Sequence, residues 1–351
     1  MPVENPYHVD PAEDLTHKVP GDVALWSENY FFQCYDPAAR VGIWTHLGRT
    51  PHDPAIWRAL VTIFLPGGAL LVSKTYGRGP EEDGVAGPHN GTLAFRCDEP
   101  LTSWTVRAET LARPTTRAEL AGGLLAEGPV VPLSFEYRFD ALTPMWDLGA
   151  ADMSGQSWAL THYEQAGQVT GWLRCPAPGE TGSGEAASGK TATYELTGTG
   201  MRDHSHGPRH FGHFRRGSWT HAEFPGGRVF AALRMWSNDD QVALNRAFIC
   251  RDGRLREATP IDVPTLEGPL GDPGVVMVRL DDGDGGMAEI EVEVLHAKTM
   301  TLAEPNEILY GVDAADPRIK IINEAVVRCR WDGEEGWGLC ERSRRIEDLT
   351  L

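Results

Sequence analysis

The sequence predicts an all-β protein of two consecutive antiparallel β domains, and three observations carry that expectation. Segments of strand length alternate between apolar and polar residues along nearly the whole chain, with turn residues between them. The 39 glycines and 25 prolines interrupt the chain too often for long helices. Roughly eighteen strand candidates are too many for one small barrel, and no repeat with a period of about 20–50 residues points to a propeller.

Residues 1–22 read as an irregular lead-in. From Leu25 the chain alternates, with Trp26, Glu28, Tyr30, Phe32 and Cys34 on one face and Asn29, Phe31, Gln33 and Tyr35 on the other. The turn Asp36-Pro37-Ala38-Ala39 leads into a second strand, Val41–Leu47, which completes a hairpin. Ala59–Leu65 and Leu70–Tyr76 form another hairpin across Pro66-Gly67-Gly68. After a Gly- and Pro-rich loop come strand candidates at Thr92–Cys97, Trp104–Glu109 and Leu133–Phe139, and one helical candidate at Arg113–Leu125. Trp158–Gln165 and Gln168–Cys175 read as a hairpin turning at Ala166-Gly167. Pro176–Lys190 is low in complexity and reads as a flexible loop. In the last third, Ser218–Phe224 and Arg228–Trp236 make a hairpin across Gly226-Gly227. Further strands are expected at Ala243–Cys250, Val275–Leu280, Ala288–Leu295, Ile319–Arg330 and Gly336–Arg342. The domain boundary is expected near residue 215, giving domains 1–215 and 216–351.

A formal charge of −18 argues against nucleic acid or an anionic membrane as the main partner. Six scattered cysteines contain no C-x-x-C pair and suit reduced, structural thiols. The polar N-terminus has no signal-like apolar stretch, and no run approaches the ~18 apolar residues of a membrane span. A cytoplasmic protein is expected.

The densest polar stretch is Gly200-Met201-Arg202-Asp203-His204-Ser205-His206-Gly207-Pro208-Arg209. If it is extended, Arg202, His204 and His206 share one face, and Asp203 and Ser205 the other. Two imidazoles at i and i+2 suit a metal, but Arg202 on the same face opposes a cation and no acid follows at the right spacing, so no metal is expected. A second polar cluster, His162-Tyr163-Glu164-Gln165, suits a pocket wall. Gly184–Thr191 fits the phosphate-loop pattern G-x-x-x-x-G-K-[ST] literally, yet a strand-like run follows in place of the required helix, which marks a chance match. Asp282-Gly283-Asp284 lacks the remaining positions of a calcium loop and reads as a hairpin turn.

The runs His162-Tyr163-Glu164-Gln165-x-Gly167-x-Val169-x-Gly171 and Gly198-x-Gly200-x-Arg202-Asp203-His204-Ser205-x-Gly207-x-Arg209 resemble the carotenoid 1,2-hydratase-like superfamily. They are most similar to its uncharacterised bacterial branch with the motif G-x-G-x-R-D-H-S-W-G-x-R, and His221–Arg228 fits that branch too. The resemblance implies two tandem lipocalin-like barrels, a large lipophilic ligand and no organic cofactor. His206 stands where the family usually carries tryptophan, exchanging an aromatic face for a proton or a hydrogen bond.

Two functions follow as expectations. One is an enzyme adding or removing water, or rearranging or cyclising double bonds, on a hydrophobic isoprenoid, polyketide or aromatic compound. There Asp203 and His204 transfer protons, His206 orients water or a substrate oxygen, and Glu164 is the opposing base. Arg202, His162, Tyr163 and Arg209 line the substrate site. His204 and His206 are expected on an aromatic cavity wall, with Asp203 behind them beside an arginine. The other function is a lipocalin-like carrier of a lipophilic ligand, in which the charged motif only locks the barrel. A homodimer is compatible with either.

Overall fold

The computed structural model describes residues 5–21, 23–149, 153, 156–177, 190–271, 274–303 and 306–349. The chain divides into two compact units, Met1–Thr115 with Glu127–Arg209, and Thr116–Ala126 with His210–Leu351.

The first unit contains β1 (Trp26–Asp36), β2 (Val41–Thr50), β3 (Asp53–Phe64), β4 (Ala69–Arg78), β5 (Leu93–Glu99), β6 (Ser103–Thr116), β7 (Val131–Ala141), β8 (Trp146–Asp147), β9 (Thr161–Pro176) and β10 (Thr191–Pro208). The sheet runs β10-β1-β2-β3-β4-β6-β7-β9 and closes because β10 also pairs with β9, while β5 flanks β6 and β8 flanks β9. Closure removes the sheet's open edges. The alternation of β1 puts Tyr30, Phe32 and Cys34 into a core with Trp57, Phe95, Trp104 and Phe139. Phe32 meets Phe95 and Phe139 edge-on at 4.9 and 5.7 Å between ring centres, so aromatic side chains fill the middle of this barrel.

The second unit contains β11 (Phe214–Glu223), β12 (Val229–Ser237), β13 (Val242–Arg251), β14 (Arg254–Asp262), β15 (Val275–Asp281), β16 (Met287–Ala303), β17 (Glu307–Tyr310), β18 (Lys320–Trp331) and β19 (Glu334–Arg345). Its order is β15-β14-β13-β12-β11-β19-β18-β16, closed by β15 on β16, with β17 beside β16. Phe224, Phe230, Ile249, Val292 and Trp331 belong to its core. The all-β expectation therefore holds, as two closed antiparallel sheets. All six cysteines are buried and none is in a disulfide. Among the described residues no helix is long and apolar enough to cross a bilayer.

Two local expectations are corrected. The chain does not turn at Ala166-Gly167, because β9 runs unbroken through both residues. Gly167 is small for another reason: a Cβ there would stand 2.5 Å from the Asp140 carbonyl oxygen and from the Phe139 ring of neighbouring β7. The helical candidate shrinks to α1 (Arg117–Gly122). Pro114 cannot sit inside a helix, and Thr116 and Glu119 form a capping box that fixes the start. Three strands went unread, β8, β14 and β17. In β14 only Ala258 and Pro260 are buried, so its apolar signal is weak.

The phosphate-loop match lies mostly outside the described residues, and from Thr191 onward the chain is strand β10, not helix. The expected flexible loop at Pro176–Lys190 lies outside them too, apart from its ends. Asp282 Oδ1 accepts from the Asp284 and Gly286 backbone N–H groups, which closes the β15–β16 hairpin turn.

Candidate functional site

The motif lies on β10, the closing strand of the first barrel, and its alternation sorts the side chains onto two faces. In the register with β9, Arg202 is opposite Gln165, Asp203 opposite Glu164, His204 opposite Tyr163, and Ser205 opposite His162. With β1, His204 is opposite Tyr30 and His206 opposite Glu28. Arg202 and His204 face the aromatic core: Arg202 lies 5.4 Å above the Trp104 ring, and His204 stacks on Tyr30 at 3.9 Å.

On that face the polar groups form three tiers. In the deepest, Arg202 makes a two-pronged ion pair with Asp14 at 2.7 and 3.0 Å and donates to Gln165 Oε1 at 2.9 Å. Asp14 also accepts from the Leu101 N–H at 2.7 Å and from the Trp104 indole at 3.3 Å. The middle tier centres on buried Glu28. His204 Nε2 is 3.1 Å and His17 Nδ1 2.9 Å from its Oε1, Tyr30 donates to the same oxygen at 3.2 Å, and Arg49 Nε donates to Oε2 at 3.2 Å. The outer tier is Glu13, whose Oε2 is 3.4 Å from His17 Nε2, 3.6 Å from His206 Nε2, and 3.1 Å from the donating Tyr163 hydroxyl. His17 and His206 stack with ring centres 4.1 Å apart. Only this tier reaches solvent: the side chains of Glu13, His17 and His206 are 39%, 20% and 13% exposed, against 0% for Glu28 and His204.

Burial and hydrogen bonding set the protonation of these groups. Burial lowers the His204 ring to about 4 despite its bond to Glu28, so it is neutral at pH 7. For Glu28 burial acts the other way, but hydrogen bonds from His17 and His204 overcome it and hold the carboxylate ionised. The nearby His206 nitrogen does most to lower Glu13 to about 2, with the charge of His17 assisting against burial. His17 is raised: burial disfavours its cation, but the hydrogen bond and charge of Glu28, with Glu13, prevail.

The opposite face carries a separate network. His162 Nε2 is 3.0 Å from Glu164 Oε1. Arg209 donates to the Trp158 carbonyl at 2.8 Å and to Ser205 Oγ at 2.6 Å. Asp203 favours the charged forms of both His162 and Arg209 by its own charge, so it does lie beside an arginine.

The eight sequence-chosen residues thus do not form one site. Arg202, His204, His206 and Tyr163 share the core-facing side, whereas Asp203, Glu164, His162 and Arg209 share the other. Asp203 and His204 cannot act together, and Glu164 does not oppose His204, because residues one apart on a regular strand point apart. His204 is buried against Tyr30, not placed on an open wall. Sequence reasoning missed Glu13, Asp14, His17 and Arg49 as partners. It placed Glu28 on the Tyr30–Phe32 face without using it, although a lone carboxylate among aromatic core positions is a signal. Glu13, Asp14 and His17 sit in the irregular lead-in, which carries no periodicity to read.

The sequence matches the domain of unknown function DUF7064 over residues 10–346. The chain belongs to the DUF7064 family. No curated protein sequence matches it. Among solved structures, CghA with Sch210972 is similar to this DUF7064 chain at a TM-score of 0.61 and 13% identity, covering 99% of this chain and 98% of that one. CghA also matches in a second structure at 0.56 and 14% identity, with coverage of 99% and 98%. An AttH-like protein of Nitrosomonas europaea matches at 0.55 and 15%, covering 93% of this chain and 94% of that one. At such identities the likeness establishes the fold, a lipocalin-like tandem barrel.

The DUF7064 chain also offers an internal comparison. In the second barrel, the last strand β19 pairs with the first strand β11, as β10 does with β1, and carries Arg342, which donates to the Gly271 carbonyl at 2.6 Å and to Asn323 Oδ1 on β18 at 3.2 Å. This repeats the Arg202–Gln165 arrangement of β10 and β9. Two and four residues beyond Arg342, however, come Arg344 and Ile346, where the first barrel has His204 and His206. Both barrels thus carry an arginine paired with an amide on the neighbouring strand, and the second has no histidine at the two positions that follow it.

Proposed function

We propose that this protein is an enzyme that moves protons on a hydrophobic small molecule, as a hydratase or dehydratase, or as an isomerase or cyclase. Its reactive groups are the solvent-reaching Glu13, His17 and His206. The observation that carries this reading is the asymmetry between the barrels. Both carry an arginine on the corresponding strand, and the first follows it with His204 and with His206, which stacks on His17, where the second has Arg344 and Ile346. Glu28 and His204 act as positioning residues by fixing the orientation of the His17 ring. Tyr163 orients Glu13, and Arg202 holds the strand in register. The substrate class, an isoprenoid, polyketide or aromatic compound, comes from the family resemblance, and CghA, which shares the fold, was solved with Sch210972.

The test begins with small molecules extracted from the purified protein and identified by mass spectrometry, together with a panel of isoprenoid and aromatic alkenes. Each is incubated with the protein in deuterated water. An enzyme returns the compound with carbon-bound deuterium, or with water gained or lost, and His206→Gln and Glu13→Gln slow that change without abolishing binding. A compound that binds tightly and returns unchanged from the wild-type protein would establish the carrier reading instead.

A further inference from the structure

We propose that Glu13, His17 and His206 form a binding site for one divalent transition-metal ion. Two imidazoles and a carboxylate are a donor set that suits zinc, cobalt, nickel or iron(II) better than magnesium or calcium. The ligand atoms of the three side chains lie within 4.8 Å of one another. Glu13 Oε2 stands 3.4 Å from His17 Nε2 and 3.6 Å from His206 Nε2. Those separations are long for hydrogen bonds, but they match the edge of a tetrahedron around an ion with bonds of ~2.1 Å, which is about 3.4 Å. His206 Nε2 is buried and has no hydrogen-bond partner among the described residues, so a coordinate bond would satisfy an atom that is otherwise left over.

The surroundings are those of a metal site. A ligating histidine usually gives its other ring N–H to a carboxylate, and His17 Nδ1 lies 2.9 Å from Glu28 Oε1. Glu28 is itself braced by Arg49 and Tyr30, and the Tyr163 hydroxyl fixes Glu13. The objection that Arg202 repels a cation on this face falls away, because Asp14 neutralises it at 2.7 and 3.0 Å. The deeper group His17, Glu28 and His204 is also compact, but its 2.9 and 3.1 Å contacts are hydrogen bonds and Glu28 and His204 are fully buried. Only the outer group offers an ion a way in, and three protein ligands leave a coordination position open. The His17 and His206 ring nitrogens are the ones that carry protons in the ion-free protein, so ion binding and proton transfer compete for them, and binding is measurable without turnover.

The test uses the full chain without an affinity tag, freed of metal by dialysis against a chelator and titrated with Co²⁺ and Zn²⁺ without substrate. One Co²⁺ per chain should bind with visible absorption typical of a low-coordinate site, and Zn²⁺ should displace it. Glu13→Gln and His206→Gln should abolish the absorption, and Glu28→Gln should weaken binding by roughly 10- to 100-fold. His52→Gln, at an exposed histidine elsewhere, should change nothing. Glu13 is partly exposed, so Glu13→Gln should melt like the wild type and report on binding rather than folding. Absence of saturable Co²⁺ binding, or binding that survives Glu13→Gln and His206→Gln, overturns the proposal whether or not the protein is an enzyme.

Discussion

Replacing Asp14 by asparagine tests the deepest tier directly. The substitution keeps the shape of the side chain and removes only its charge. Arg202 is 1% exposed and Asp14 0%, so solvent cannot take over the neutralisation. The value for an exposed pair, at most about 1 kcal/mol, does not apply here. Breaking a buried pair from one side costs ~3–5 kcal/mol, since it strands the other charge. At ~1.4 kcal/mol per decade this is roughly a 100- to 3000-fold rise in the opening constant of the barrel end. Backbone hydrogen exchange, read by mass spectrometry on peptides from β1 and β10, measures that constant in the first barrel separately from the second. Arg202→Met should lose a similar amount. Asp14→Asn with Arg202→Met should lose less than the two single losses added together, because neither charge is then stranded. A loss below about 1 kcal/mol for either single variant, or strict additivity, would show that the pair does not hold the strand.

Three further outcomes follow from particular residues. His221 is buried in the second unit, its Nε2 has no hydrogen-bond partner among the described residues, and burial lowers it to about 3. The unfolded chain binds that proton below about pH 6.5, so stability falls as pH drops from there towards 3, and His221→Leu should flatten this loss in urea melts at pH 5 against pH 8. His204 behaves alike but titrates near 4, so its ring carbon resonances should stay those of a neutral imidazole at pH 6 in NMR spectra. Gly207 has φ +134°, and a Cβ there would collide with the Leu160 backbone nitrogen, so Gly207→Ala should lower the melting temperature more than Gly21→Ala, where the space is open.

Much of the fold was legible because strand alternation is local. β1, β2, β11 and β12 could be read from which residues repeat at every second position, and their turns from Asp36-Pro37 and Gly226-Gly227. Reading failed where one residue type serves two purposes. A glycine inside a strand-like run marks either a turn or a close approach, and at Gly167 it is the approach of Asp140 and Phe139 that decides. The strand β14 escaped because it buries only two residues. The same local rule placed Arg202, His204 and His206 on one face correctly, but it could not supply their partners. Asp14 is 188 residues from Arg202 and Glu28 is 176 from His204, and nothing in the sequence between them announces either contact.

That separation explains why the motif looked like one catalytic cluster when it is two half-sites back to back. Polar residues at consecutive strand positions must divide between faces, and each half then needs partners from other segments to survive burial. On the core-facing side those partners come from the lead-in segment, β1, β2 and β9, on the other from β9 and Arg209. The second barrel retains an arginine and an amide on its corresponding strands and has Arg344 and Ile346 where the first has His204 and His206. The outer tier of the first barrel consists of Glu13, His17 and His206. They are also the members of the core-facing tiers that solvent, a substrate or an ion can reach.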